Sequence, residues 1–145
     1  MNIDGVTLTP LLQIKTEHGV VSRMLRSTDH FFTAFGEIYF SSVPAGSRKD
    51  WRLHRSLTMH LCVPVGMVRF VLIDTREASG SRGELLDLEI GVDDHQLLTV
   101  PKGVWMSFEN RRTSDALVAN CATEPHSPTE VVRRTVNDPP LSFDW

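Results

Sequence analysis

Short apolar strands recur along this chain at intervals of roughly ten residues, with turn residues between them, and this spacing constrains the fold more than any other feature. The strands are rich in Val, Ile, Leu and Phe, and Gly, Pro, Asp and Ser mark the turns. Such spacing predicts an all-β sandwich or barrel. The predicted strands span 20–26, 36–43, 57–65, 68–74, 86–90, 95–100, 104–108 and 115–122. The tight turn at Gly66 predicts that 57–65 and 68–74 form a hairpin.

One segment near the end of the chain has the pattern of a helix. Ser127 occupies an N-cap position, Pro128 the first helical position and Glu130 the third, and two arginines follow at 133–134. These residues match the preferences of the two helix ends, because they cap the first turn and complement the helix dipole. The pattern predicts one short C-terminal helix over 127–134.

Length and charge narrow the class of protein. The chain has 145 residues, which predicts a single domain over 1–145. A net charge of −3 argues against general nucleic-acid binding. The sequence has neither a signal peptide nor an apolar run of about 18 residues, so we expect a cytoplasmic protein without a membrane partner. Cys62 and Cys121 lie in apolar runs, which predicts buried thiols, with a disulfide as the alternative.

Residues 46–66 contain the largest group of candidate functional side chains. The stretch opens with four cations in eight residues and then turns apolar. Cations beside an aromatic ring and an imidazole suit an anionic ligand with a flat portion, such as a nucleotide. A solvated basic strand edge is the alternative. The residues concerned are Arg48, Lys49, Trp51, Arg52, His54 and Arg55.

A double-sheet jelly roll is the fold of the cupins. Many cupins hold a metal through histidines, and 101–106 resembles their second motif, with Met106 at the histidine position. His54 and His60 share a strand face but lie about 20 Å apart at the usual rise, too far to chelate one ion. A thioether is a poor ligand for hard metals. We therefore predict neither a metal nor another cofactor, and a metal-dependent cupin enzyme remains an alternative.

Five segments, taken in order, resemble the dTDP-4-dehydrorhamnose 3,5-epimerase family of cupin-fold sugar-nucleotide epimerases over about 20–145. They are Phe35-Gly-Glu-Ile-Tyr-Phe-Ser41, Trp51-Arg-Leu-His54, 68–76, Val100-Pro-Lys-Gly-Val-Trp105 and Asn137-Asp-Pro-Pro-Leu-Ser-Phe-Asp-Trp145. The resemblance implies a cupin jelly roll and a homodimer that exchanges an N-terminal arm, here 1–19. It also implies a nucleotide-diphospho-4-keto-6-deoxy sugar as substrate, which an epimerase or keto-isomerase enolises without a metal.

The resemblance further implies roles for individual residues. His54 falls on the base that removes the proton next to the ketone, and Asp138 on the acid that orients it. Arg26 falls on an arginine that holds the diphosphate. Four further ligand-facing positions are Tyr39, Trp51, Asn120 and His126. Arg52, the cation two residues before the base, is a further candidate for binding the substrate.

The chain departs from the family where the proton is returned to the sugar. Asn120 stands at the family's tyrosine, and an amide cannot act as an acid near neutral pH. We therefore expect a single epimerisation, a keto-isomerisation or a different sugar nucleotide as substrate, with a catalytically inactive nucleotide-sugar-binding cupin as the alternative. Tyr39 or His126 could return the proton, and His126 is preferred because imidazole titrates near neutrality.

Overall fold

The structure, a computed structural model, describes residues 2–138, 141 and 143–145. Over these residues it contains twelve β-strands and no helix, which confirms the predicted all-β class. The strands are β1 Thr7–Pro10, β2 Gln13–Thr16, β3 Gly19–Ser22, β4 Glu37–Val43, β5 Trp51–His54, β6 Met59–Val65, β7 Met67–Asp74, β8 Leu85–Gly91, β9 Gln96–Val100, β10 Val104–Glu109, β11 Ala116–Ala122 and β12 Val131–Arg134.

Two antiparallel five-stranded sheets form the sandwich. The first sheet has the order β1-β9-β6-β11-β4, and the second has the order β12-β5-β10-β7-β8. β2 and β3 form a separate hairpin. Neighbours in each sheet are often distant in sequence, so long-range pairing determines which side chains meet.

The main core lies between the two sheets. Along β6, Met59, Leu61 and Val63 point inward and are almost fully buried. Phe70 and Phe108 meet them from the second sheet, with ring centroids 5.4 Å apart. Burying an aliphatic or aromatic side chain of this size contributes about 1.5–3 kcal/mol, so this layer supplies most of the stability.

A second apolar cluster covers the outer face of the second sheet. Trp51 is fully buried there, and the ring of Trp145, from the C-terminal segment, lies 5.8 Å from it. Leu141 of the same segment is also fully buried. The segment therefore closes the face of β5 that points away from the core.

The predicted C-terminal helix is wrong. Residues 128–130 form a turn closed by the Glu130 N–H donating to the Ser127 carbonyl at 3.0 Å, and β12 then follows. β12 pairs with β5 along its whole length, from Val131 opposite His54 to Arg134 opposite Trp51. This pairing satisfies the backbone, and two consecutive valines favour a strand. Tertiary pairing therefore overrides the helix-start signal.

The predicted hairpin across Gly66 is also wrong. β6 pairs with β9 and β11, whereas β7 pairs with β8 and β10, so the turn carries the chain from one sheet to the other. Gly66 has φ = +77°, and a Cβ there would lie 2.8 Å from the Cβ of Ala116. The turn needs glycine for both reasons. The hairpin partner of β7 is β8.

The N-terminal region contains three strands, and the first of them is an edge strand. β1 joins the first sheet beside β9 of the same chain. The predicted strand 20–26 is shortened to β3, which carries the exposed Val20 and Val21. Exchange of the arm 1–19 between two chains remains a prediction. Both cysteines are buried and free, so the predicted thiols are confirmed. Within the described ranges, no helix is long and apolar enough to cross a membrane.

Candidate active site

A cavity opens between the two sheets, and polar side chains from four strands, β4, β5, β11 and β12, surround it. β5 contributes Arg52 and His54, β4 contributes Tyr39, and β11 contributes Asn120. The outer part has a volume of about 340 Å³. Because side chains alternate along a strand, β5 presents Arg52 and His54 to the cavity and Trp51 to the outer cluster.

His54 is buried, and its two ring nitrogens face different surroundings. Nδ1 lies 3.5 Å from Oε1 of Glu130, at the outer limit for a hydrogen bond but within ion-pair distance. Nε2 has no hydrogen-bond partner among the residues that the structure describes, and the ring lines the cavity. A carboxylate beside Nδ1 favours the tautomer with the proton on Nδ1, which leaves the Nε2 lone pair for a ligand.

Glu130 is held in place by donors from the segment after β5. Its carboxylate accepts hydrogen bonds from the Ser56 hydroxyl at 2.7 Å, the Ser56 N–H at 3.2 Å and the Leu57 N–H at 3.1 Å. Burial raises the pKa of Glu130, but these hydrogen bonds and nearby His54 outweigh it, so the pKa lies below its usual value. The group beside His54 is therefore an anion at neutral pH.

The pKa of His54 is lowered from its usual 6.5. Burial is the largest cause, Glu130 opposes it, and the charges of Arg52 and His126 lower the pKa further. The imidazole is therefore neutral at neutral pH and can accept a proton. The site combines a neutral base with a fixed anion that would stabilise its protonated form.

Two arginines face each other at the cavity. Arg52 on β5 lies directly opposite Arg133 on β12, and both line the opening. Neither side chain forms an ion pair with a described residue, and the Nε of Arg52 is buried without a hydrogen-bond partner among them. Like charges directly opposite one another destabilise a sheet. An anion bound between these arginines would relieve that repulsion.

Tyr39 and Asn120 form a cross-strand pair between β4 and β11. The Asn120 amide donates to the Tyr39 hydroxyl oxygen at 2.8 Å. The other amide atom, Oδ1, is buried without a hydrogen-bond partner in the described part of the chain. Buried polar atoms are rarely left unsatisfied, so this acceptor is available to a donor on a ligand.

The inner end of the cavity is largely apolar. Its lining includes Met59, Leu61, Met106, Phe108 and Val118. Met106 thus lies at the cavity, whereas His60 is on the opposite face of β6, where its Nδ1 is 3.1 Å from the Thr99 hydroxyl. The described residues include no cluster of three or more His, Cys, Asp or Glu side chains able to hold a metal ion.

The prediction that Asp138 orients His54 needs correction. Asp138 follows Arg134, which pairs with Trp51 at the end of β5 remote from His54, and its carboxylate accepts from Arg134 at 3.1 Å. The carboxylate beside His54 belongs to Glu130. Its sequence signal, an acid three residues after Ser127, indicated a helix N-terminus and so concealed its role.

Three other predicted ligand positions lie in different places. Trp51 is on the outer face of β5, so it cannot reach the cavity. Arg26 is held by Asp29 at 2.7 Å and lines a separate surface cleft with His30 and Phe31. His126 lines the outer part of the cavity, and Arg133, which the sequence placed at the end of the predicted helix, lies there too.

A double β-sheet sandwich that encloses a polar cavity between its sheets defines this chain as a cupin-type protein. Comparison with solved structures finds a dTDP sugar isomerase from Desulfovibrio desulfuricans G20, 40% identical, with a TM-score of 0.96; the match covers 99% of this chain and 92% of that one. The dTDP-4-dehydrorhamnose 3,5-epimerase of Bacillus anthracis str. Ames has 19% identity and a TM-score of 0.85, over 97% of this chain and 85% of that one.

Among curated proteins, the spore coat polysaccharide biosynthesis protein SpsL of Bacillus subtilis strain 168 is 25% identical over 145 residues, 99% of this chain and 96% of the relative. No protein-family model matches the chain. An identity of 40% over nearly the full length of both chains shows that this chain and the Desulfovibrio protein belong to one family. The chain belongs to the family of this dTDP sugar isomerase, and it shares the fold of the dTDP-4-dehydrorhamnose 3,5-epimerases.

Proposed function

We propose that this protein is an epimerase or keto-isomerase of a nucleotide-diphospho-4-keto-6-deoxy sugar and that His54 removes the proton next to the ketone. The observation that carries the proposal is the neutral His54 imidazole, placed against an anionic Glu130 at the wall of a cavity between the sheets. The family membership and the dTDP-sugar isomerase named among its relatives support the substrate class.

The chemistry follows from the orientation of the imidazole. Nε2 of His54 takes the acidic proton from the carbon beside the carbonyl, and the electron pair of the broken C–H bond moves onto the ketone oxygen to form an enolate. The imidazolium then carries protons on both nitrogens, and the Glu130 carboxylate stabilises it through Nδ1. Reprotonation at a carbon completes the isomerisation, so no external oxidant or reductant is required.

The two arginines supply the positive charge that such a substrate needs. Arg52 and Arg133 sit opposite each other at the cavity without anionic partners among the described residues. A diphosphate or a developing enolate placed between them would be stabilised by charge-assisted hydrogen bonds. The apolar inner wall suits the methyl group of a 6-deoxy sugar.

The test is proton NMR of the protein with dTDP-4-keto-6-deoxyglucose in heavy water, with His54→Ala as the comparison. We expect deuterium to enter a carbon next to the ketone with the wild type, and this exchange to fall about 10²–10⁴-fold in the variant. Equal exchange with both proteins would eliminate His54 as the base.

Asn120 at the family's tyrosine position favours one second candidate, a cupin that binds a nucleotide sugar without converting it. The same experiment separates the two. Nucleotide-sugar binding by the wild type without any solvent exchange would establish the binding module and reject the enzyme.

A homodimer forms part of the proposal. Ile38 and Phe40 on the edge strand β4 expose 50% and 62% of their surface, and Val20 and Val21 on β3 are similarly exposed. Apolar side chains concentrated on an edge strand and a hairpin suit a second copy of the chain. Analytical ultracentrifugation should give twice the chain mass of 16.3 kDa, and a monomer at micromolar concentration would contradict this expectation.

A further inference from the structure

We infer that Tyr39 is the acid that returns a proton to the sugar, on the face opposite to His54, and that Asn120 positions it. The inference rests on the proposed function and names a catalytic residue for it. It also replaces the preference for His126 that the sequence suggested.

The first argument is the placement of the two groups on different sheets. His54 belongs to β5 of the second sheet, and Tyr39 belongs to β4 of the first sheet. Both side chains line the same cavity between the sheets. A sugar ring held there has the imidazole on one side and the phenol on the other. Inversion at carbon requires this arrangement, because the proton must return to the face opposite the one it left.

The second argument is the hydrogen bonding of the phenol. The Tyr39 oxygen accepts from the Asn120 amide at 2.8 Å, and its own hydrogen has no acceptor among the described residues. The O–H can therefore donate into the cavity. Asn120 thus occupies the position of the family's tyrosine. Its amide forms a hydrogen bond to the hydroxyl of Tyr39, which lies directly opposite on β4.

The alternative acid, His126, is less well placed. It lies beyond the end of β11 and is fixed through its backbone N–H, which donates to the Glu37 carboxylate at 2.8 Å. It lines only the outer part of the cavity, whereas Tyr39 lines both the outer and the inner part. An acid must come within hydrogen-bond distance of the reacting carbon, directly or through one water, and only Tyr39 of these two residues lines the inner part.

The reaction step balances without a further reagent. The enolate double bond supplies the electron pair for the new C–H bond, and the Tyr39 O–H bond breaks to give the proton. The phenolate that remains is re-protonated by solvent, as His54 is deprotonated in the same turnover. The net change is an inverted carbon.

The test compares Tyr39→Phe with His126→Gln by proton NMR in heavy water, using dTDP-4-keto-6-deoxyglucose, and follows deuterium exchange and inversion separately. We expect Tyr39→Phe to retain His54-dependent exchange while inverted product falls at least about 10²-fold. His126→Gln should keep the wild-type ratio of inverted product to exchanged substrate, because His126 lines the cavity but does not return the proton. Normal inversion by Tyr39→Phe, or loss of inversion in His126→Gln alone, would overturn the role of Tyr39 and leave the proposed function intact. Absence of exchange in the wild type would overturn both.

A second measurement covers the case in which Tyr39→Phe does not fold. Tyr39 is the only tyrosine in the chain, so biosynthetic incorporation of fluorotyrosine changes a single site. Fluorine makes a phenol more acidic, and an acid catalyst must be protonated when it donates. The alkaline fall in the rate of inversion should therefore shift to lower pH, while the rate of exchange keeps its profile. An unshifted inversion profile would contradict the inference.

Discussion

The cavity and the loop that follows β7 both gather charged side chains inside the protein, and they differ in how completely those charges are paired. In the loop, the fully buried Asp74 accepts hydrogen bonds from Arg76 at 2.8 Å and from the hydroxyls of Ser79 and Ser81 at 2.6 Å. Arg76 also donates to the Asp4 carbonyl at 2.6 Å, which ties the N-terminal segment to the loop.

The polar groups of the cavity are not fully paired in this way. Its Arg52 Nε and Asn120 Oδ1 are buried without hydrogen-bond partners among the described residues. Leaving such groups unsatisfied costs about 1–3 kcal/mol each. A fold that satisfies Asp74 so fully could have satisfied these groups too. The difference indicates that the loop network serves stability, whereas the cavity groups serve a ligand.

The substitution with the largest expected effect removes His54, the proposed base in the cavity. His54→Ala should reduce turnover about 10²–10⁴-fold with little change in melting temperature, because the imidazole makes few bonds to the fold. His60→Ala is the matched control, since His60 is equally buried but lies on the far face of β6. Its turnover should stay within about twofold of the wild type. If steady-state assays showed the same loss in both variants, His54 would have a structural role only.

A pair of arginine substitutions tests the two regions directly. Arg76→Met removes the main partner of the buried Asp74, and it should lower the free energy of unfolding by about 3 kcal/mol. Arg52→Met removes a cation without an anionic partner among the described residues, so stability should hold or rise while turnover falls about 10²-fold. Urea unfolding and turnover assays measure both changes. Destabilisation by Arg52→Met as large as by Arg76→Met would refute the contrast.

Glu130→Gln tests the anion beside the base. Turnover should fall about tenfold, because the imidazolium loses its counter-charge while His54 itself remains. The pKa of His54 is already lowered below 6.5, so wild-type kcat/KM should rise with pH and level off below that value. In the wild type the Glu130 carboxylate raises the pKa of His54. Its removal should therefore lower that pKa and shift the rise in kcat/KM to still lower pH. A pH profile that does not move would show that Glu130 does not act on His54, and Asp138→Asn serves as the control that leaves the profile unchanged.

The smallest expected effect is on acid stability. The pKa of Glu130 is lowered from 4.5 in the folded protein, so its contribution to stability is present above that pH and is lost as pH falls through the folded value. The melting temperature of the wild type should therefore fall more between about pH 6 and pH 3 than that of Glu130→Gln. Parallel decreases in the two proteins would show that the Ser56 and Leu57 hydrogen bonds do not favour the ionised form.

Local sequence patterns located most of the strands and predicted part of the site. Turn residues and apolar runs predicted the positions of β4 and of β6 to β11 closely, because side-chain alternation and turn chemistry are written in neighbouring residues. The same alternation places Arg52 and His54 on one face of β5 and Trp51 on the other. The family resemblance then predicted the chemistry, and with it the role of His54, before any strand pairing was known.

Tertiary structure alone decided which distant groups meet. Glu130 reaches His54 because β12 pairs with β5, a contact that converts a good helix signal into a strand. Tyr39 reaches Asn120 because β4 pairs with β11, and β6 and β7 separate because each finds partners in a different sheet. Such pairings depend on the combined burial of many side chains, so no local pattern encodes them. The sequence by itself therefore predicted His54 as the base and located most of the strands, and the fold decided which carboxylate, phenol and second arginine share the cavity with it.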